Sequence, residues 1–356
     1  MPPSDIALSR LQNQHIDGER FQTVKDVVKW MGALQAQDPQ MIKWAVGIRL
    51  PGTTENVIEE AINRGDLIRT HLLRPTWHLV TAEDLRWILK LTAPHIRTSM
   101  RSRSKQLGLT EAVYHKSNYV LQKTLEAGKH LSRRELVAEL QNAGLPTDDN
   151  RSSHLLLHAE LEGILCSGRI KDKQITYALL DDRVPACDVP DRDESLARLA
   201  EIYFTSHCPA TIQDFIWWSG LSITDARKAT EMIKSGFSTE KIGDAVYLFP
   251  LTFPGKISHT HSIHVLPAFD EFLISYKDRS ASLPPKHLHK AVSNNGIFWP
   301  VITHNGNVIG TWKRTIKKDK VKIEPNYLIN PGKEVRAQTE QAFARYGKFL
   351  DKDIEY

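Results

Sequence analysis

One succession of patterns, repeated three times, limits what this chain can fold into more than any other feature. Apolar residues recur at helical spacing in three stretches, and two β-rich runs about a turn come after them. The first copy predicts helices over 24–34, 41–48 and 57–63, the last opened by Thr53-Thr54-Glu55-Asn56. Its strands fall at 67–71 and 76–80, hinged at Leu73-Arg74-Pro75. The second copy places helices over 119–126, 136–141 and 153–162 and strands over 168–171 and 174–180, with Ser132-Arg133-Arg134-Glu135 as a capping box. The third runs through helices over 195–206, 211–218 and 224–233 to a hairpin of 236–242 and 245–249 that turns at Gly243-Asp244. Duplication explains three such units better than chance.

Helices followed by a two-stranded hairpin are the outline of a winged helix. Between the first two units, 82–106 reads as one or two extra helices. Beyond Phe249 the chain becomes rich in Pro, His and β-forming residues, with strands over 263–266, 299–303, 308–314 and 320–324 and a tight turn at Asn305-Gly306. A helix over 334–349 closes it. The expected architecture is α+β: a first winged helix in 1–82, a helical linker in 83–116, winged helices in 117–190 and 191–250, and a small antiparallel sheet or partial barrel in 251–356.

Composition narrows the function classes. No window approaches the about 18 apolar residues that a membrane span needs, and the N-terminus lacks a basic and then apolar leader. Cys166, Cys187 and Cys208 are odd in number and far apart, which predicts reduced thiols in the cytoplasm, with neither a disulfide frame nor a zinc site. His259, His261 and His264 have no metal-ligand spacing, so no metal or cofactor is expected. The formal net charge of +5 gathers at 97–105, at Arg133-Arg134 and over 313–322. Such clusters permit phosphate contacts and can equally be solvated faces.

The chemistry-bearing stretch is Leu34-Gln35-Ala36-Gln37-Asp38-Pro39. Two amides at the end of an apolar helical run, stopped by Pro39, can aim at a ligand or simply cap the helix and face water. In the first hairpin, Arg69 and Arg74 can meet phosphates, and a histidine or tryptophan can wedge against bases. Alternation puts Trp77 and Leu79 on one face, expected to be core, and Thr76 and His78 on the other, which makes His78 the cleft candidate. Asp270 and Glu271 could act as acid and base, but adjacent carboxylates at a helix start are more often caps.

Leu34-Gln35-Ala36-Gln37, Arg74-Pro75-Thr76-Trp77-His78-Leu79-Val80, Phe269-Asp270-Glu271-Phe272 and Gly310-Thr311-Trp312-Lys313-Arg314 occur in one order. Together they resemble the winged-helix DNA-binding family of the AlkZ- and YcaQ-type DNA glycosylases, from about Leu8 to Phe349. The resemblance implies a monomer with three winged helices around a C-shaped cleft. It would excise N7- or N3-alkylated purines from double-stranded DNA in base excision repair and, in some members, unhook interstrand crosslinks. The family motif is Gln-apolar-Gln in one branch and Gln-apolar-Asp in the other. Gln35 and Gln37 match the first, and Asp38 comes one residue too late for the second. Arg69, His71, Arg74, Thr76, His78, Lys313 and Arg314 are the expected DNA-binding residues. The competing readings are a non-catalytic winged-helix regulator, which would prefer one duplex sequence and release no base, and a protein-interaction scaffold, which would show no salt-sensitive DNA binding.

Overall fold

The computed structural model describes residues 1–18, 21–253 and 262–356, so His259 and His261 lie outside the described residues. Helix α1 (Pro3–Asn13) buries Ala7 and Leu11 in a core shared with Leu266, Phe272 and Val301. Helix α2 (Val24–Met31) starts on reciprocal bonds between Thr23 and Asp26. It stops earlier than the expected 24–34. Gly32 adopts φ 73° there, and a Cβ on it would lie 2.6 Å from Ile202 Cγ2, so both conformation and space require glycine.

The chain then forms a short strand, β1 (Leu34–Gln35), helices α3 (Met41–Gly47) and α4 (Glu55–Arg64) and the hairpin β2 (Leu67–Leu72) and β3 (Thr76–Thr81). β1 adds to the hairpin in the order β1-β3-β2, with Leu34 opposite Leu79 and Gln35 opposite His78. The connecting segment is one helix, α5 (Ala82–Gln106), which carries Pro94 within it.

The second unit is α6 (Glu111–Leu125), starting earlier than the expected 119, then α7 (Arg133–Asn142), α8 (Arg151–Leu161), β4 (Leu165–Lys171) and β5 (Gln174–Leu179). The capping box of Ser132 and Glu135 forms as its sequence spacing demands. After α9 (Leu180–Arg183), the third unit is α10 (Arg192–Ser206), α11 (Ile212–Ser219), α12 (Ile223–Ile233), β6 (Phe237–Ile242) and β7 (Ala245–Pro250). The strand position held by β1 is a single bridge in the other two units. Leu131 pairs with Tyr177 and Ala210 with Leu248, each between the first two helices and the second hairpin strand.

The C-terminal region comprises β8 (Ile263–Leu266), α13 (Glu271–Ile274), α14 (Leu288–Ala291), β9 (Val301–His304), β10 (Asn307–Ile316), β11 (Lys320–Tyr327), α15 (Lys333–Leu350) and β12 (Asp353–Glu355). The curled sheet runs β12-β11-β10-β9-β8. It is not wholly antiparallel as expected, because β12 returns from α15 alongside β11 in the same direction. The fold is α+β.

Two cores meet at β1. Ala33 belongs to the core of α5 and the third unit, while Leu34 and Ala36 belong to that of the first unit, the C-terminal sheet and α15. The strand is thereby held from both sides. Among the described residues no helix is long and apolar enough to cross a membrane.

Candidate active site

Pleating of β1 sends the small and apolar side chains one way and the amides the other. Leu34 and Ala36 have no exposed surface, Gln35 is 6% exposed, and Gln37, just beyond the strand, is exposed. Gln35 is fixed at two points. Its backbone N–H donates to Glu271 Oε1 at 2.5 Å, and its side-chain Oε1 accepts from Arg74 Nη2 at 2.8 Å. With that oxygen occupied, the Gln35 NH2 keeps its donors for a ligand. Ala36 N–H donates to the Trp77 carbonyl at 2.7 Å, and Ala36 O accepts from Arg69 Nε at 2.9 Å. Gln37 Oε1 has only a long contact to the Trp77 N–H, at 3.4 Å, which leaves it available. Asp38 Oδ1 accepts from the backbone amides of Gln40 and Met41 at 2.8 and 3.0 Å, so it caps α3.

Asp270 and Glu271 divide their work. Asp270 Oδ1 caps α13 by accepting from Phe272 N–H at 2.9 Å, and both of its oxygens take Arg49 Nη donors at 2.9 Å. Glu271 is no cap. Burial would raise its carboxyl, but His207, the Ser275 hydroxyl and the Gln35 amide hold it below the usual carboxylate value. A buried anion therefore backs the Gln35 backbone.

The hairpin reverses one expectation. Trp77 and His78 do lie on opposite faces, yet His78 has no exposed surface and Trp77 is only half-buried. The cause is how that face packs: Ile68, Leu72 and Val80, which share it with His78, lie in the core of α5 and the third unit. Burial, helped by the Arg74 charge, pushes the His78 imidazole down to about 3. Its Nδ1 donates to the Thr76 carbonyl at 2.9 Å, which leaves Nε2 as a buried acceptor.

Register also separates the expected DNA-binding residues. Arg69, His71 and Trp77 share the face away from Gln35, toward the second unit. There the Arg69 guanidinium stacks 3.8 Å from the Trp77 centroid, and His71 Nδ1 meets the buried Glu160. Arg74 and the half-buried Thr76 lie near the amides. Lys313 is exposed opposite Glu324, whereas Arg314 reaches the Tyr346 hydroxyl and comes within 4.0 Å of Asp38.

Sequence reading missed the group around Trp217, which is joined to Gln35 through Arg74. Trp217, whose Nε1 donates to the Ile274 carbonyl at 2.8 Å, is ringed by Arg74, Lys277 and Arg279 with charged centres 5.6, 5.4 and 5.1 Å from its centroid. Lys277 and Arg279 come soon after the Asp270-Glu271 pair in sequence, but nothing there ties them to α11. No group of three or more His, Cys, Asp or Glu among the described residues could hold a metal ion.

A family model described as DNA glycosylase AlkZ-like matches residues 28–349. The interstrand DNA cross-link repair glycosylase of Streptomyces sahachiroi is 24% identical over 319 residues, 85% of either chain. The solved structure of the Streptomyces sahachiroi DNA glycosylase AlkZ matches with a TM-score of 0.82 at 20% identity, covering 100% of this chain and 99% of that one. At that identity the likeness speaks for the fold.

Proposed function

The chain belongs to the AlkZ-like family of DNA glycosylases, and on that premise we propose that it removes purines alkylated at N3 or N7 from duplex DNA, with Gln35 and Gln37 as its catalytic residues. The repeated units act as winged helices lining a C-shaped cleft, and the protein works as a monomer without a cofactor. Interstrand cross-links, named for the Streptomyces relative, are included among the substrates.

The chemistry asks little of the protein. An alkylated purine is cationic, so breaking C1′–N9 releases a neutral base and leaves the positive charge on the sugar. Water then adds to C1′ and its proton passes to solvent. The protein has to place that water and to favour the oxocarbenium-like sugar with fixed dipoles. Gln37, exposed and barely engaged, accepts a hydrogen bond from the water. Gln35, locked by Arg74 and Glu271, offers its NH2 to the deoxyribose. The observation that carries this reading is the asymmetry of the two amides, one fixed from behind and one free in front.

The test uses a duplex carrying one N7-methylguanine. Base release, followed as free base and as alkali-induced strand breaks, should occur with the unaltered protein and vanish in Gln35→Ala and Gln37→Ala while DNA affinity changes little. Undiminished release by both variants excludes the assignment.

A further inference from the structure

The Arg74, Lys277 and Arg279 side chains converge on Trp217, with Glu271 acting on Arg74 and Asp214 and Asp278 on Arg279 only from beyond ion-pair distance. Their neighbouring carboxylates are committed elsewhere. Asp214 faces Arg10 Nη2 at 3.7 Å and accepts from the backbone N–H groups of Lys277 and Thr211, Asp278 accepts from Ser280 N–H, and Glu271 takes the Gln35 amide. Among the described residues none of the three cations is in an ion pair. Two of their nitrogens, Arg74 Nε and Arg279 Nη2, are buried with no hydrogen-bond partner. Burial, and secondarily Arg74, pushes Arg279 down to about 10. Like charges held together with donors unsatisfied are costly unless an anion arrives.

We propose that Arg74, Lys277 and Arg279, spaced by the Trp217 ring, clamp one phosphodiester of the DNA backbone next to the nucleotide being cleaved. The inference rests on the glycosylase reading and extends it. Arg74 joins the clamp to the chemistry, because its Nη2 already holds Gln35 Oε1 at 2.8 Å. A phosphate on its remaining donors fixes the guanidinium and, through it, the amide. Charge supplies the second reason. A cationic sugar forming beside three cations that no carboxylate pairs is disfavoured, and a phosphodiester is the anion that duplex DNA brings to that position. Base cleavage is then coupled to correct seating of the backbone.

The test replaces single linkages around one N7-methylguanine with uncharged methylphosphonates and follows both DNA affinity and single-turnover base release. One linkage should weaken binding and slow release about ten-fold, as loss of a charged hydrogen bond does. Lys277→Gln and Arg279→Gln should show a similar loss on the all-phosphate duplex and no further loss at that linkage. Lys277 is exposed, so Lys277→Gln carries the test if Arg279→Gln does not fold, and Lys277→Arg should restore the linkage effect. Losses that simply add at every linkage, or variants indistinguishable from the parent, overturn the clamp. So does inhibition by inorganic phosphate that Lys277→Gln abolishes while the linkage pattern stays flat, because the site then serves a free anion. A protein that shows the linkage pattern in binding but releases no base keeps the clamp and loses the glycosylase reading. Release without any linkage dependence does the reverse.

Discussion

Glu271 accepts a hydrogen bond from the Gln35 backbone N–H, N to Oε1 2.5 Å, from a position with 1% exposure, so a buried carboxylate holds one catalytic candidate from behind. Glu271→Gln keeps an acceptor of the same shape and should fold, with single-turnover base release about ten-fold slower and DNA affinity unchanged. Glu271→Ala leaves the amide unpaired, at a cost of about 1–3 kcal/mol, and should slow release further. Equal rates for Glu271→Gln and the parent would remove Glu271 from the positioning role.

The neighbouring acid has a different consequence. Asp270 and Arg49 are 3% and 0% exposed and bonded through two oxygens and two nitrogens. Asp270→Ala strands the guanidinium, and urea unfolding should show a loss of about 3–5 kcal/mol. Replacing both, as Arg49→Met with Asp270→Leu, should recover most of it. A double variant as unstable as the single would mean that the loop geometry, rather than the stranded charge, sets the cost.

The two acids show where sequence reading stops. A carboxylate before a short helix is legible as a cap, and Asp270 is one. That Glu271 reaches back to β1 depends on a contact between distant parts of the chain, which no local pattern encodes. The repeated helices and hairpins were legible because periodicity and caps are local. The position of His78 was not, since alternation separates two faces without saying which one α5 and the third unit will pack against. Trp217 is the same case: its partners arrive from the first hairpin and from the loop after α13.

Acid should destabilise the fold through histidines buried in neutral form. Burial sets His78 at about 3 and His264 at about 4, below the ordinary 6.5. As pH falls through 6.5 the unfolded chain takes up protons that the native one refuses. Stability therefore drops with falling pH, by up to about 1.4 kcal/mol per pH unit for each group, down to about pH 4 for His264 and pH 3 for His78. Urea midpoints measured from pH 7 to 4 should decline, and His78→Gln should flatten the decline. A slope identical in that variant would show that His78 takes up its proton while folded.

Gly32 tests whether the course of β1 matters to the chemistry. Its φ of 73° costs alanine about 1–2 kcal/mol, and the added Cβ would meet Ile202 Cγ2 at 2.6 Å on a β-branched side chain with little freedom to turn. Gly32→Ala should therefore lose about 2–4 kcal/mol of stability, the second part being the overpacking term. Adding Ile202→Ala should relieve the clash and leave the conformational term. If Gly32 aims the strand, base release by the doubly substituted protein stays depressed after the clash has gone, because alanine still resists the turn that brings Gln35 against Glu271 and Arg74. Full recovery of release alongside stability would reduce Gly32 to a space-maker for Ile202.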